Sequence, residues 1–188
     1  MSVLVIALLF LAGFVSGAIN AVAGGGTFIS FGALTLIGVP SIVANATSSI
    51  AQLPGYITST LAYRKDFAKM WRGVLVLAVV SAIWSLGGAL FLLYLNNEQF
   101  SAVVPWLLLG ATALFAAGPW LKPKPKHQDA AAEGRNLASP IVQFFTSIYG
   151  GFFGAGMGIM MLATLGLTEG GDYHRLNAIK NLLANVIA

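Results

Sequence analysis

The sequence predicts an all-α, polytopic helical membrane protein. Of its 188 residues, 57% are hydrophobic and only 9% are charged, whereas a soluble domain needs roughly 25% charged residues to cover its surface. The charges are also clustered, because residues 1–63, 73–97, 99–121 and 136–168 contain no Asp, Glu, Lys or Arg. A bilayer core about 30 Å thick requires about 20 helical residues, so each of these runs can span a membrane.

The basic residues predict the orientation of these spans. Eight of the ten Lys and Arg residues lie in segments 63–72 and 122–136, and such an excess marks connections that face the cytoplasm. The two charge-free runs between these segments return the chain to the side from which it started. We therefore interpret the net charge of +4 as an orientation signal, and we expect the lipid bilayer as a partner but no nucleic acid.

Glycine and proline divide the first charge-free run. As one helix, 63 residues would extend about 95 Å, about three times the thickness of the hydrocarbon core. The triplet Gly24-Gly25-Gly26 predicts the end of a segment over 3–23, Gly38-Val39-Pro40 ends a short segment over 27–37, and a helix over 41–63 follows. The short segment either continues the first span after a break or returns as a half-membrane hairpin. We favour the single broken span, which places the N-terminus on the cytoplasmic side.

An internal repeat predicts the domain organisation. A shift of 132 residues aligns Ala23-Gly24-Gly25-Gly26 with Ala155-Gly156-Met157-Gly158, Gly38 with Gly170, and Asn45-Ala46 with Asn177-Ala178. We expect two parallel repeats of four transmembrane helices, each with a glycine-broken first span. The first repeat covers 1–121, a cytoplasmic linker covers 122–136, and an incomplete second repeat covers 137–188. We therefore expect the sequence to be a truncated product or a fragment of a longer chain.

The glycine breaks are the first candidate binding residues. Unwound backbone at membrane depth occurs only where protein or a polar cavity satisfies it, and a helix that starts there directs free N–H groups and a positive dipole end toward an anion. Close helix packing is the alternative role for glycines in membrane helices. We assign substrate binding to the break residues of both repeats: Gly24, Gly25, Gly26, Thr27, Gly156, Met157 and Gly158.

Polar helix faces supply the second set of candidates. In the last helix Asn177, Lys180 and Asn181 lie close together on the helix surface, and Lys180 is the only basic residue inside a predicted span. A Lys at a helix centre costs about 2.5–3.5 kcal/mol, and no predicted span offers an acidic partner, so a transported anion would balance its charge. The alternative is that Lys180 reaches the headgroups.

The matching helix of the first repeat carries a similar set, for which helix packing is the alternative role. Its candidates are Asn45, Ser48, Ser49 and Gln52. Asn20, in the first span, is a weaker candidate for which we favour packing.

These residues resemble a known family. The stretch GFVSGAINAVAGGGTFISFGALTLIGVPSIVANATSSIAQLPGYITSTLAYRKD and its echo GGFFGAGMGIMMLATLGLTEGGDYHRLNAIKNLLANVIA are similar to the TauE/SafE family of sulfite-exporter-like transporters, also called the four-toluene-sulfonate uptake permease family. The resemblance implies a multi-pass, eight-helix, two-repeat protein of the bacterial inner membrane that moves small sulfur-containing or organic anions such as sulfite or sulfonates. This sequence departs from the family pattern at Met157, which replaces the middle glycine of the second break.

Other functions fit the sequence less well. Without Cys, and with no set of His, Asp and Glu at metal-ligand spacing, we expect no metal and no cofactor. No Ser has a candidate base, so we expect no enzyme. The alternative to a transporter is a non-transporting membrane assembly component or an inactive truncated relative, and the oligomeric state stays open.

Overall fold

A computed structural model describes residues 2–121, 138–168 and 173–188. Among these residues it contains eight α-helices and no β-strand. The helices are α1 (Val3–Ala23), α2 (Thr27–Leu36), α3 (Ser41–Ala62), α4 (Arg64–Leu93), α5 (Asn97–Leu121), α6 (Ala138–Phe152), α7 (Met157–Thr168) and α8 (Tyr173–Ile187). The predicted segments 3–23, 27–37 and 41–63 are confirmed to within one residue at each end.

Hydropathy and exposure fit a protein embedded in a bilayer. Two helical segments, Val3–Ala23 and Trp71–Leu93, are long and apolar enough to cross a membrane, with mean hydropathies of 2.4 and 2.3. Large apolar side chains of α1 point outward, including Leu4 at 79% and Phe14 at 71% exposure. In water this surface would drive aggregation, whereas in a lipid bilayer it contacts acyl chains.

The first glycine break reverses the direction of the chain, so our preference for a single broken span is wrong. In a continuous helix Ser16 and Ser30 would be about 21 Å apart. Instead the Ser16 hydroxyl donates to the carbonyl of Gly26 at 2.6 Å and lies 3.3 Å from the Ser30 hydroxyl. Helix α2 therefore folds back along α1 as a hairpin. The N-terminus and the start of α3 consequently lie on the same side of the membrane.

The first basic segment is helical and does not form a loop. Helix α3 ends at Ala62 and α4 begins at Arg64, so residues 64–72 form the first turns of α4. The sequence RKDFAKMWR explains this continuation, because it contains neither Gly nor Pro and is rich in residues with good helix propensity. The second basic segment, 122–136, lies outside the described residues.

Helices from the first part of the chain pack against helices from the last part. Helix α4 packs along α6, α3 packs against α8, and α5 packs against α7. One apolar cluster includes Tyr56 of α3, Leu77 of α4, Met161 of α7 and Leu183 of α8. This packing brings the segment after the first glycine break next to the segment after the second.

Candidate functional site

The two glycine breaks meet in the interior. Gly24 and Gly156 both have a left-handed backbone, with φ of 79° and 78°, which an L-residue adopts only at a cost. Gly24 also ends α1, where its N–H donates to the Asn20 carbonyl at 3.2 Å. A Cβ atom on residue 24 would lie 2.6 Å from the carbonyl carbon of Gly158. Backbone therefore contacts backbone where the two breaks meet.

Thr27, the first residue of α2, joins the two breaks. Its hydroxyl donates to the carbonyl of Gly154 at 3.4 Å and accepts the N–H of Gly156 at 3.3 Å. The side chain is only 1% exposed. Thr27 thus satisfies backbone groups that the second break leaves without helical partners.

Asn45 of α3 holds the second break from the other side. Its side-chain amide donates to the carbonyl of Phe152 at 3.2 Å, and its Oδ1 accepts the N–H of Gly154 at 3.1 Å. Ser49 lies against Gly154, where a Cβ atom would collide with its hydroxyl. Ser48 is buried and donates to the Asn45 carbonyl at 2.9 Å. These candidates from the first half of the chain therefore support the break in the second half.

Three side chains of α8 cap the C-terminal end of α1. Lys180 Nζ donates to the carbonyl of Asn20 at 3.0 Å, and Asn177 Nδ2 donates to that of Ala21 at 3.2 Å. The Tyr173 hydroxyl donates to the carbonyl of Val22. The last carbonyls of a helix lack the usual helical partners, and α8 provides one donor for each of these three, in addition to the Gly24 N–H that the Asn20 carbonyl already accepts.

This arrangement places Lys180 in the interior. Its side chain is 0% exposed, so the alternative in which Lys180 reaches the headgroups is wrong. The ammonium group meets the partially negative end of the α1 dipole, and no carboxylate pairs with it in the described part of the chain. Asn181, the next residue, is also buried, at 2% exposure.

A buried polar cluster surrounds the start of α2. Gln52 Nε2 donates to the Ser16 hydroxyl at 2.5 Å, and Asn20 Nδ2 donates to Gln52 Oε1 at 3.2 Å. Ser16 in turn contacts Gly26 and Ser30, as described above. Asn20 therefore takes part in this polar cluster. Sequence reasoning missed Ser16 and Ser30, although Ser16 lies four residues before Asn20 on an otherwise apolar helix.

Four buried oxygen atoms near this cluster have no hydrogen-bond partner among the described residues. They are Asn20 Oδ1, Tyr56 Oη, Thr60 Oγ1 and Asn177 Oδ1. A buried polar atom without a partner costs about 1–3 kcal/mol, so such atoms mark places where water or a ligand binds. Tyr56 and Thr60 lie on α3, which also carries Gln52 and Asn45.

Two of the predicted binding residues, Met157 and Gly25, do not face the buried polar cluster around the start of α2. Met157 is 2% exposed and packs in the apolar cluster with Met161 and Leu183. Gly25 lies against the side chain of Ile159. Two apolar cavities of about 360 Å³ and 280 Å³ lie elsewhere, along the outer side of α6. Among the described residues no three His, Asp or Glu side chains are grouped to hold a metal.

Comparison with known proteins identifies relatives of the chain. The family described as "Sulfite exporter TauE/SafE" matches residues 9–188. The chain is 30% identical over 163 residues to a "Probable membrane transporter protein" of Haemophilus influenzae, an alignment that covers 86% of this chain and 63% of the relative. It is 26% identical over 167 residues to "Probable membrane transporter protein ORF9" of Sinorhizobium sp., covering 87% of this chain and 64% of that protein.

The chain thus spans less than two thirds of the length of both relatives. No solved structure is significantly similar to it. The family match, in contrast, includes both glycine breaks and all eight described helices apart from the first residues of α1. This chain belongs to the TauE/SafE sulfite exporter family.

Proposed function

We propose that the chain forms part of a multi-pass transporter of the bacterial inner membrane and that it moves small sulfur-containing or organic anions, such as sulfite or sulfonates. The observation that carries this proposal is the meeting of two unwound breaks beside the buried cation Lys180. The description of the family as a sulfite exporter and the names of the two relatives support the same function.

The start of α2 provides the chemistry for binding an anion. Backbone N–H groups at a helix start point outward along the axis, and the dipole adds a partial positive charge. At α2 the first amides with a described backbone partner are those of Phe28 and Ile29. In the proposed site the N–H groups of Gly26 and Thr27, which precede them, donate to oxygen atoms of a sulfite or sulfonate group.

Two repeats, 1–121 and 137–188, form the architecture in this proposal. Because α2 folds back along α1, three helices, α3, α4 and α5, lead to α6, which starts at the opposite end of the bundle from α1. In this proposal the repeats are therefore inverted, whereas the sequence predicted parallel repeats. Their support is the shared geometry of residues 132 positions apart. Gly24 and Gly156 have the same left-handed backbone. Asn45 and Asn177 each donate to backbone at the end of the helix that precedes the other repeat's break. In such pairs of repeats the substrate site commonly lies at their interface.

One observation favours the alternative of a non-transporting membrane component. Lys180, Thr27 and Asn45 all hydrogen-bond to backbone groups of the protein. In this alternative, these side chains serve only to hold the breaks together and do not bind an anion. The protein then acts as a scaffold.

Anion-dependent stabilisation separates the two functions. A ligand that binds only the folded state stabilises it by RT ln(1 + [L]/Kd), about 2.7 kcal/mol at one hundred times Kd. The purified chain in detergent should unfold at a higher temperature with methanesulfonate or sulfite than with chloride at equal ionic strength. Equal unfolding temperatures in all three salts, with no anion uptake into liposomes, would favour the scaffold.

A further inference from the structure

Helix α3 carries polar side chains along its whole length on one face. They recur at intervals of three or four residues, which places them in a single row. This polar row consists of Ser41, Asn45, Ser48, Gln52, Tyr56, Thr60 and Tyr63. Gln52, near the middle, contacts the polar cluster at the start of α2.

The half of the row before Gln52 is fully hydrogen-bonded. The Ser101 hydroxyl donates to that of Ser41 at 2.8 Å. The side-chain Nδ2 and Oδ1 of Asn45 both hydrogen-bond to backbone at the second break. The Ser48 hydroxyl donates to the backbone carbonyl of Asn45. Protein groups therefore seal this half of the row.

In the half of the polar row after Gln52, the polar atoms are not fully hydrogen-bonded. Thr60 Oγ1 and Asn177 Oδ1 have no hydrogen-bond partner in the part of the chain that the structure describes. Tyr56 faces the Asn20 side chain, but the Tyr56 hydroxyl and Asn20 Oδ1 lack a hydrogen bond of normal geometry. Tyr56 is 1% exposed, Asn20 4% and Asn177 6%. The outer end of this half is fixed, because Asn177 Nδ2 donates to the Tyr63 hydroxyl at 3.4 Å and the Tyr63 ring packs on His174.

Positive charge lies near both ends of the half of the polar row after Gln52. Lys180 lies beside Asn20, next to the inner end of the unsatisfied half. At its outer end Tyr63 is followed by Arg64, and Lys65, Lys69 and Arg72 come next in the sequence. Positive charge at both ends favours the presence of anions between them.

We infer that this half of the polar row, from Gln52 to Tyr63, is a hydrated route that connects the glycine breaks with the membrane face at the start of α4. It extends over about 16 Å of α3, and Tyr56, Thr60, Asn20 and Asn177 are its lining residues. Water along the route satisfies the four orphaned oxygen atoms. That an anion is the cargo rests on the proposed function, whereas the hydration itself does not.

Cysteine accessibility tests the route, and the chain has no Cys of its own. Thr60→Cys places a thiol of similar size on the route. Leu61→Cys is the matched control, because Leu61 is the next residue, at nearly the same depth, and is 59% exposed on the apolar surface. The chain is reconstituted in lipid nanodiscs and treated with the membrane-impermeant reagent 2-sulfonatoethyl methanethiosulfonate.

A thiol reacts as its thiolate, which forms in water and not in lipid. We expect Thr60→Cys to be modified about tenfold faster than Leu61→Cys or more, with both equally modified after unfolding in SDS. Tyr63→Cys, at the outer end, should also react quickly. If Thr60→Cys reacts as slowly as Leu61→Cys in nanodiscs although SDS exposes it, the inference is overturned.

A second measurement tests the anion site independently of the route. Methanesulfonate, which does not react with the reagent, should slow modification of Thr60→Cys, whereas chloride at equal ionic strength should not. Fast modification that methanesulfonate leaves unchanged supports the route and counts against the anion site of the proposed function.

Discussion

The ammonium group of Lys180 lies 3.0 Å from the carbonyl oxygen of Asn20, at the end of α1. The charge thus has a partner in the protein even before any anion binds. Loss of this hydrogen bond leaves the Asn20 carbonyl with the N–H of Gly24 as a partner at 3.2 Å. Removal of the Lys180 side chain should therefore cost the folded protein little stability, because the Asn20 carbonyl keeps a hydrogen-bond partner.

We predict that Lys180→Met folds and inserts but loses the anion-dependent rise in unfolding temperature. Insertion itself should become easier, because a Lys at a helix centre costs about 2.5–3.5 kcal/mol. Lys180→Gln is the matched control, since it keeps an N–H donor for Asn20 but removes the charge. Unfolding curves with methanesulfonate and chloride measure the effect. An unchanged anion response in Lys180→Met would show that the cation only caps α1.

We predict that Gly24→Ala destabilises the protein strongly. A left-handed L-residue costs roughly 1–2 kcal/mol, and the new Cβ atom would lie 2.6 Å from the Gly158 backbone. Gly38→Ala is a control for strain alone, because Gly38 has a φ of 88° but open space around it. Unfolding temperatures in detergent should fall further for Gly24→Ala than for Gly38→Ala. Equal losses would mean that contact between the breaks contributes nothing.

At the scale of elements, α4 and α6 form the most extensive helix pair in the described part of the chain. Gln143 Nε2 donates to the hydroxyls of Ser81 at 2.8 Å and Ser147 at 3.2 Å. Gly151 of α6 lies so near α4 that a Cβ atom would be 2.6 Å from the carbonyl carbon of Ser85. Small residues that allow close approach, joined by polar side chains, are typical of helix pairs in membranes.

We predict that Gly151→Ala separates α4 from α6 and costs about 1–3 kcal/mol, as overpacking does in well-packed interiors. Gly110→Ala in α5 is the control, because a Cβ atom at Gly110 meets nothing within 4 Å. Thermal unfolding in detergent compares the two. A loss of stability in Gly110→Ala as large as that in Gly151→Ala would contradict the close approach of the two helices.

The sequence predicted the existence of the elements better than their directions. Gly24-Gly25-Gly26 and Gly38-Val39-Pro40 ended helices where expected, because glycine and proline interrupt helices through local backbone chemistry. The turn back of α2 along α1 was the alternative that we did not favour. It depends on contacts such as that between Ser16 and Gly26, which no local propensity encodes.

At the scale of the whole molecule, the α1–α2 hairpin changes the expected topology. Helices α4 and α5 then run in opposite directions, so the end of α5 lies at the same end of the bundle as the start of α4. The N-terminus lies on the opposite side, with the turn between α4 and α5. The end of the bundle with the basic start of α4 is the one that the positive-inside rule predicts to face the cytoplasm.

We predict that Ser2→Cys and Asn97→Cys react with a membrane-impermeant maleimide in intact cells. Ala130→Cys, in a segment outside the described residues, should react only after the cells are permeabilised. A single broken span would instead protect Ser2→Cys. Labelling of Ala130→Cys in intact cells, with Asn97→Cys protected, would reverse the orientation of the whole chain.

The sequence by itself determined the class of the protein and the positions of its breaks, because composition and glycine placement act locally or through the cost of polar groups in a membrane. The burial of Lys180 was one of two alternatives that the sequence left open. The sequence also indicated Asn45, Thr27 and Asn177 as special positions. Only the tertiary structure decided what these side chains contact. Lys180, Asn177 and Thr27 bind backbone carbonyls, which every residue possesses, so no residue type in the sequence marks the partner. The partner is set by which helix ends the packing of α1, α2 and α8 brings together.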